Sequence, residues 1–328
     1  MLNRRNTMLA AAGAAASLAL PQGVLAQAWP DKPIRMVVAF PAGGGLDLVA
    51  RTVAQRLSEI LRQQVVVDNR GGANGAIGAD LVAKSAPDGY TLLMASPAEV
   101  VVGPVAGQKV PYDPEKDLVP VALAGEAPLV IAAHPSVPAN SLKEFVAYAK
   151  AHPGRLSYGT PGTGSSMHFA GESLKSRAGA FLVHIPYRGA APALNDALGN
   201  QVSVAIVGMP PVVPHAKAGR LKVLGVTTAK RSPVMPDVPA VAELPGLSDY
   251  RFTNWMGVFA PARTPAPVLE RLSSEIARLV KEPAVREKLN AAGVEAMGLN
   301  AAEFGRFLQG ERNSYQTIAR ERAIRIEE

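Results

Sequence analysis

Short apolar runs rich in β-branched residues alternate with amphipathic helical patterns along most of this chain, separated by glycine- or proline-containing turns. That alternation is the strongest constraint on the fold. Strands and helices that take turns in this way bury their apolar faces against each other, which implies an α/β fold with mostly parallel sheets. The pattern predicts strands over 35–40, 65–68, 91–95, 129–133, 156–158, 181–185, 202–207, 221–227 and 256–259. Helices are expected over 46–62, 77–84, 142–151, 166–177, 192–198, 267–280, 283–292 and 301–324. Residues 96–140 and 232–267 are rich in proline, which cannot continue a helix or a central strand, so both read as connections. They flank an α/β block the size of one domain. The chain is therefore expected to build part of a first domain (29–128), a second domain (129–250), and then the rest of the first (251–328). Two crossings of this kind make a hinge around a cleft.

The N-terminus sets the compartment. Residues 1–5 are short and basic, residues 8–20 are apolar, and Val24-Leu25-Ala26 and Ala26-Gln27-Ala28 both fit a small-x-small cleavage site. This reads as a secretory signal peptide over 1–28, cut after residue 26 or 28. The apolar run is shorter than the ~20 residues a membrane-spanning helix needs. With 48% hydrophobic and 19% charged residues the remainder should be globular. Cysteine is absent, which removes disulfides, thiolate metal sites and cysteine nucleophiles. The net charge of +7 is scattered and aromatics are only 5%, so a nucleic-acid face is not expected.

Three glycine-rich turns stand between a predicted strand and a predicted helix. Pro41-Ala42-Gly43-Gly44-Gly45 is the first, and Asp47 follows where a carboxylate caps free helix N–H groups. The second, 159–166, adds hydroxyls from Thr160, Thr163, Ser165 and Ser166, which can donate to a carboxylate. The third is Pro186-Tyr187-Arg188-Gly189-Ala190-Ala191-Pro192, with Pro192 suited to a first helical turn. Each alone fits a tight turn. Three together, at the strand ends where α/β sheets hold ligands near positively polarised helix N-termini, read as an anion-binding site. Arg188 fits either a bidentate carboxylate partner or a solvated loop arginine.

Enzyme signatures are missing. Gly43-Gly44-Gly45 leads into Leu46-Asp47 rather than the Lys-Ser/Thr of a phosphate loop, and the segment around Ser165 lacks the Gly-x-Ser-x-Gly elbow. The five histidines (134, 152, 168, 184 and 215) show no metal-binding spacing, so neither a metal nor a cofactor is expected. A hydrolase built on Ser165 and His168 places both residues at one helix start, which is poor geometry for a base held by a third group.

The chain resembles the substrate-binding proteins of tripartite tricarboxylate transporters, the Bug family. The resemblance rests on ordered strings across nearly the whole mature chain. These are Trp29-Pro30-Asp31-Lys32-Pro33, Phe40-Pro41-Ala42-Gly43-Gly44-Gly45-Leu46-Asp47, Asn69-Arg70-Gly71-Gly72, Asp88-Gly89-Tyr90-Thr91-Leu92 and Pro111-Tyr112-Asp113-Pro114. Tyr158-Gly159-Thr160, Gly162-Thr163-Gly164-Ser165, Pro186-Tyr187-Arg188-Gly189-Ala190-Ala191 and Trp255-Met256-Gly257-Val258-Phe259 complete the set. The resemblance implies a periplasmic, non-enzymatic protein with two α/β domains in a Venus-flytrap arrangement, acting with the membrane subunits of a transporter. A monomer is expected. It points to Ala42, Gly43 and Gly44, with Thr160, Gly164 and Ser165, as holding the ligand carboxylate, and to Ser96 as a cleft neighbour. Tyr187, Arg188, Gly189 and Ala190 would form the opposing wall.

One departure bears on the ligand. Many relatives carry an acidic residue after the Gly-x-Gln-Val element, whereas 199–209 here has neither Asp nor Glu. A ligand amino group would lack its counter-charge, so a plain carboxylic acid is expected: a di- or tricarboxylate, or an aromatic acid if Met209 and Trp255 form a wall rather than pack in the core. A sensor subunit presenting its ligand to a membrane receptor kinase is the rival binding role. A structural or adhesive envelope protein has no need of convergent glycine loops.

Overall fold

The computed structural model describes residues 29–322, so the expected signal peptide lies outside the described residues. The α/β expectation holds. Ten strands are β1 (Ile34–Val38), β2 (Val65–Asn69), β3 (Thr91–Ala95), β4 (Leu118–Ala133), β5 (Ser157–Thr160), β6 (Val183–Pro186), β7 (Val204–Gly208), β8 (Lys222–Val226), β9 (Thr253–Pro261) and β10 (Glu295–Leu299). Among the helices are α1 (Gly45–Leu61), α2 (Ala76–Ala83), α3 (Leu142–Ala151), α4 (Ser166–Ala178) and α5 (Ala190–Leu198), of which α1, α4 and α5 follow the candidate loops. After them come α6 (Val213–Lys217), α7 (Ala266–Leu279), α8 (Pro283–Ala291) and α9 (Ala301–Arg322).

The long strand β4 organises the sheet. Its first part, up to Pro128, lies between β9 and β10, and its last part, from Leu129, lies between β7 and β8. One strand thus serves two half-sheets. The first holds β2-β1-β3-β9-β4 with β10, and the second holds β4-β7-β5-β6 with β8. Among the strands, β1 pairs parallel with β2 and β3, and β5 with β6 and β7, and a single parallel bridge joins Val226 of β8 to Ala240. Every pairing of β4 and β9 is antiparallel, which corrects the expectation of mostly parallel sheets: strands that carry the chain across the middle meet their neighbours head to tail.

The proline-rich segments are also corrected. β4 contains Pro120 and Pro128 and still runs through the centre of the sheet. Register shifts adjoin Pro120, so its missing N–H falls at a bulge. Pro128 stands where the strand changes partners, and its carbonyl accepts the Met209 N–H at 3.0 Å. The return crossing is tied to the outgoing one by Thr227, which is fully buried. Its N–H donates to the Leu129 carbonyl at 3.0 Å, its hydroxyl to the Phe252 carbonyl at 2.5 Å, and its carbonyl accepts the Phe252 N–H at 2.9 Å.

Helix α9 closes the core. Phe304 packs on Trp255 and Phe259 of β9, while further along Tyr315 stands edge-on to Phe169 and Phe252. Trp255 and Met209 are fully buried, and the Trp255 indole N–H donates to Glu311 at 3.1 Å. Both therefore serve as core rather than as a ligand wall.

Candidate functional site

The strand directions bring the candidate loops to one place. Ala95, the last residue of β3, is opposite Gly257 of β9, which is opposite Leu123 of β4. Hence β1 and β3 run in the direction of β4 and end level with Leu123. β7 runs against β4 and ends with Gly208 opposite Leu129, and β5 and β6 run with β7. The C-terminal ends of both parallel groups therefore point at the middle of β4. Leu123 and Leu129 are six residues apart, about 20 Å along a strand. Ligands of open α/β sheets bind beyond such carboxyl ends. Every candidate loop leaves one of them.

The first loop is exposed from residue 41 to 45. Gly43 takes a left-handed conformation (φ +86°), and its N–H donates to the Asp47 carboxylate at 3.0 Å. Asp47 is 5% exposed and also accepts from Asn69 at 2.9 Å and Arg51 at 3.0 Å. Burial alone would raise its pKa, but the bonds from Arg51, the Gly43 amide and Asn69 hold it below the usual carboxylate range. Asp47 does not cap the helix as expected. From the third helical position it reaches back into the loop, and Gly44 at the N-cap has no side-chain partner. The N–H groups of Gly44, Gly45, Leu46 and Asp47 consequently have no protein acceptor among the described residues.

Ser96 follows β3. It is buried, and both its N–H and its hydroxyl donate to Glu99, at 2.8 and 2.6 Å. Glu99 is fully buried, and its pKa is pushed up to about 7 by burial, against the hydrogen bonds from Ser96. The glycine-turn motifs do not mark this residue. A signal was present, because Ser96-Pro97-Ala98-Glu99 ahead of Val100-Val101-Val102 has the spacing of a capping box.

The second and third loops are bonded to each other. The Tyr187 N–H donates to the Thr160 carbonyl and the Gly189 N–H to the Pro161 carbonyl, both at 2.9 Å. Ser165 is the N-cap of α4: its hydroxyl accepts the His168 N–H at 3.2 Å and donates to the Gly162 carbonyl at 2.7 Å. The Gly164 N–H donates to His168 Nδ1 at 3.2 Å, and Thr160 Oγ1 lies 2.7 Å from His184 Nε2. Ser165 and His168 thus share a cap rather than a nucleophile–base bond. The Tyr187 hydroxyl donates to Asp196 at 2.6 Å, and burial with this bond pushes its pKa up to about 12. Arg188 is exposed and has no ion-pair partner among the described residues, and the N-terminus of α5 after Gly189 has no side-chain cap.

The candidates fall into two groups, Ala42, Gly43, Gly44 and Ser96 on one half-sheet, and Thr160, Gly164, Ser165 and Tyr187 to Ala190 on the other. No hydrogen bond among the described residues joins them. A separate cavity of about 600 Å³, lined by Glu126, Pro128, Arg231, Arg251, Arg286 and Glu295 among others, shares no residue with either group.

A family model described as "Tripartite tricarboxylate transporter family receptor" matches residues 49–324. The chain belongs to this receptor family. Protein BugT of Bordetella pertussis is 37% identical over 314 residues, covering 95% of each chain. Among solved structures, Rpa4515 of R. palustris with adipate superposes with a TM-score of 0.84 at 33% identity, covering 90% of this receptor and 99% of that chain. MatC from Rhodopseudomonas palustris with bound malate gives 0.78 at 29% identity, covering 88% and 99%. The receptor therefore has the two-domain fold of periplasmic binding proteins, and no helix among its described residues is long and apolar enough to cross a membrane.

Proposed function

We propose that this receptor captures a small organic dicarboxylate or tricarboxylate in the periplasm, without chemical turnover, and delivers it to the membrane subunits of a tripartite tricarboxylate-type transporter. The observation that carries the reading is the exposed first loop. With the first turn of the 17-residue helix it opens, it offers four consecutive N–H groups that have no acceptor among the described residues, at the strand ends where the half-sheets converge. Helix polarity and free amides together favour an anion there. Adipate and malate in the related structures are both dicarboxylates. Full burial of Met209 and Trp255 removes the support for an aromatic acid.

In this reading 29–128 with 251–328 forms one lobe and 129–250 the other. The ligand carboxylate meets Ala42, Gly43 and Gly44 first, and closure brings up the second and third loops, including Arg188. Contacts made only in the closed form shift the population towards it. A thermal-shift screen of the purified protein tests the reading, using adipate, malate, citrate, benzoate and glutamate, each acid beside its amide. At ~100 times the dissociation constant a ligand adds about 2.7 kcal/mol, a visible rise in Tm. Stabilisation by a dicarboxylate and not its amide is expected. A flat response to every acid, or equal response to acids and amides, would count against it.

A further inference from the structure

Beneath the second loop three rings form a stack that the capture reading leaves unused. The Tyr158 and His184 rings have centroids 4.8 Å apart, and the His184 and His168 rings 4.0 Å apart with only 11° between their planes. Sixteen residues separate the two histidines, and pairing of β5 with β6 brings His184 beside Tyr158. His168 reaches the stack from the first turn of α4.

Each imidazole holds one end of the loop. His168 Nδ1 accepts the Gly164 N–H at 3.2 Å, so this ring carries its proton on Nε2. At the other end Thr160, fully buried, has its hydroxyl 2.7 Å from His184 Nε2 and 3.3 Å from the Gly162 carbonyl. A carbonyl only accepts, so the consistent chain runs from His184 Nε2–H to the Thr160 oxygen and from the Thr160 hydroxyl to Gly162. His168, whose Nδ1 accepts, is then a neutral Nε2–H tautomer, and His184 carries a proton on Nε2.

We propose that His168 and His184 are positioning residues for the ligand cleft: stacked as neutral imidazoles, they clamp Gly164 and Thr160 and so hold the second glycine loop in the form that closes on the ligand. The clamp rests on the capture reading for its purpose, not for its existence. Surrounding groups favour neutrality. Burial depresses both imidazoles, His184 to about 3, with the neighbouring His168 adding to the effect there. Glu172 pulls the other way from 3.9 Å off His168 Nε2, but its charge is already taken up by Lys175 at 2.7 Å and by the Tyr158 hydroxyl. Tyr250, packed on the same helix, spends its hydroxyl on the Ala170 carbonyl. A proton added to His168 must sit on Nδ1, which then no longer accepts the Gly164 N–H, and charge on both rings at 4.0 Å would repel.

The decisive experiment is NMR on the purified protein without ligand, with nitrogen-15 ring spectra and the exchange rate of the Gly164 amide. Both rings should report neutral Nε2–H at pH 6.5, where a free imidazole is half charged. His168→Ala should speed Gly164 exchange at least tenfold, and His168→Asn, whose side-chain oxygen replaces Nδ1, should restore protection. His184→Gln, which keeps a donor near Thr160, should likewise hold where His184→Ala does not. Charged rings at pH 6.5, or Gly164 exchange unchanged in His168→Ala, would overturn the clamp. Adipate titration of the same proteins reads its consequence: affinity falling tenfold in the alanine variants and recovering in the Asn and Gln variants supports it, and equal affinity in all of them overturns it. If adipate does not bind even the unaltered protein, the carboxylate reading is the one in question, and the ring and amide signals still decide the clamp.

Discussion

The Gly43 N–H donates to the Asp47 carboxylate at 3.0 Å, so the first glycine loop is fastened to the helix it opens rather than left loose. Asp47 spends its oxygens on this amide, Asn69 and Arg51, all within 3.0 Å. Replacing it with alanine removes the acceptor of the Gly43 N–H and of one Asn69 N–H, while Asn69 keeps its bond to the Phe40 carbonyl at 3.1 Å, a cost of about 0.5–1.5 kcal/mol. Urea denaturation of Asp47→Ala should show that loss. The same carboxylate has a lowered pKa, so its contribution is present above the ordinary carboxylate range and fades as the pH falls through it. The difference between variant and wild type should therefore shrink towards pH 3. A difference that grows in acid would mean that Asp47 is not ionised in the folded protein.

Glu99 predicts the opposite slope. Its carboxyl is fully buried, with no cation among its hydrogen-bond partners, and burial raises it from 4.5 to about 7. A raised acid adds stability below its unfolded pKa and loses it as the pH rises through the folded value. The protein should lose about 2–4 kcal/mol through this group between roughly pH 4.5 and 7.5. Glu99→Gln removes the titration while keeping hydrogen bonding to Ser96, so its stability should vary less over that window. Identical pH profiles for the two proteins would show that Glu99 does not titrate there.

Much of this architecture was legible in the residues. The strand Thr91–Ala95 and the helix Leu142–Ala151 have the bounds that hydrophobic periodicity predicts, and all three glycine turns leave strand C-termini as expected. What escaped depends on neighbours rather than on local pattern. The first part of β4 is interrupted by Pro120 and Pro128, and only the bulge and the change of sheet partner make those prolines tolerable. β10 reads Glu295-Ala296-Met297-Gly298-Leu299, without a β-branched residue, and is a strand because the edge of β4 offers it hydrogen bonds. In the site, the opposite outcome holds for Asp47: residue type and position were legible, but the direction of its bond was not, since Gly43 and the helix amides are both within reach of one short side chain. His168 and His184 have no telling spacing along the chain, and spacing says nothing about a stack made across two strands and a helix.

Two glycines separate conformational from steric demand. At Gly43, with φ +86°, an added Cβ would meet nothing within 4 Å, so Gly43→Ala should cost only the left-handed backbone penalty, about 1–2 kcal/mol. At Gly257 a Cβ would stand 2.2 Å from Phe304 Cζ, in the core between β9 and α9. Gly257→Ala must displace that ring and should cost about 1–3 kcal/mol or more, with altered packing around Trp255. Tryptophan fluorescence with chemical denaturation separates them: Gly43→Ala should keep the wild-type spectrum, and Gly257→Ala should shift it. An unshifted Gly257→Ala spectrum at wild-type stability would sink the packing argument.

Arg251 is the most exacting test of the crossing. It stands just before β9 and binds Glu126 of β4 at 2.6 Å and Glu311 of α9 at 3.0 Å. Both carboxylates are largely buried, and burial pushes both pKa values up against the pull of Arg251. Removing the guanidinium in Arg251→Met leaves two buried carboxylates facing each other, a cost of about 3–5 kcal/mol at neutral pH. The sign of the rescue follows from the acids themselves. Without the arginine their folded pKa values rise further, so protonation relieves the variant as the pH falls, and its stability should move towards wild type between pH 7 and 5. Urea midpoints at those two pH values decide the matter, with Arg251→Met/Glu126→Gln expected to regain part of the loss already at pH 7. A variant as stable as wild type at pH 7 would mean that solvent reaches this ion cluster and that it does not hold the two crossing segments together.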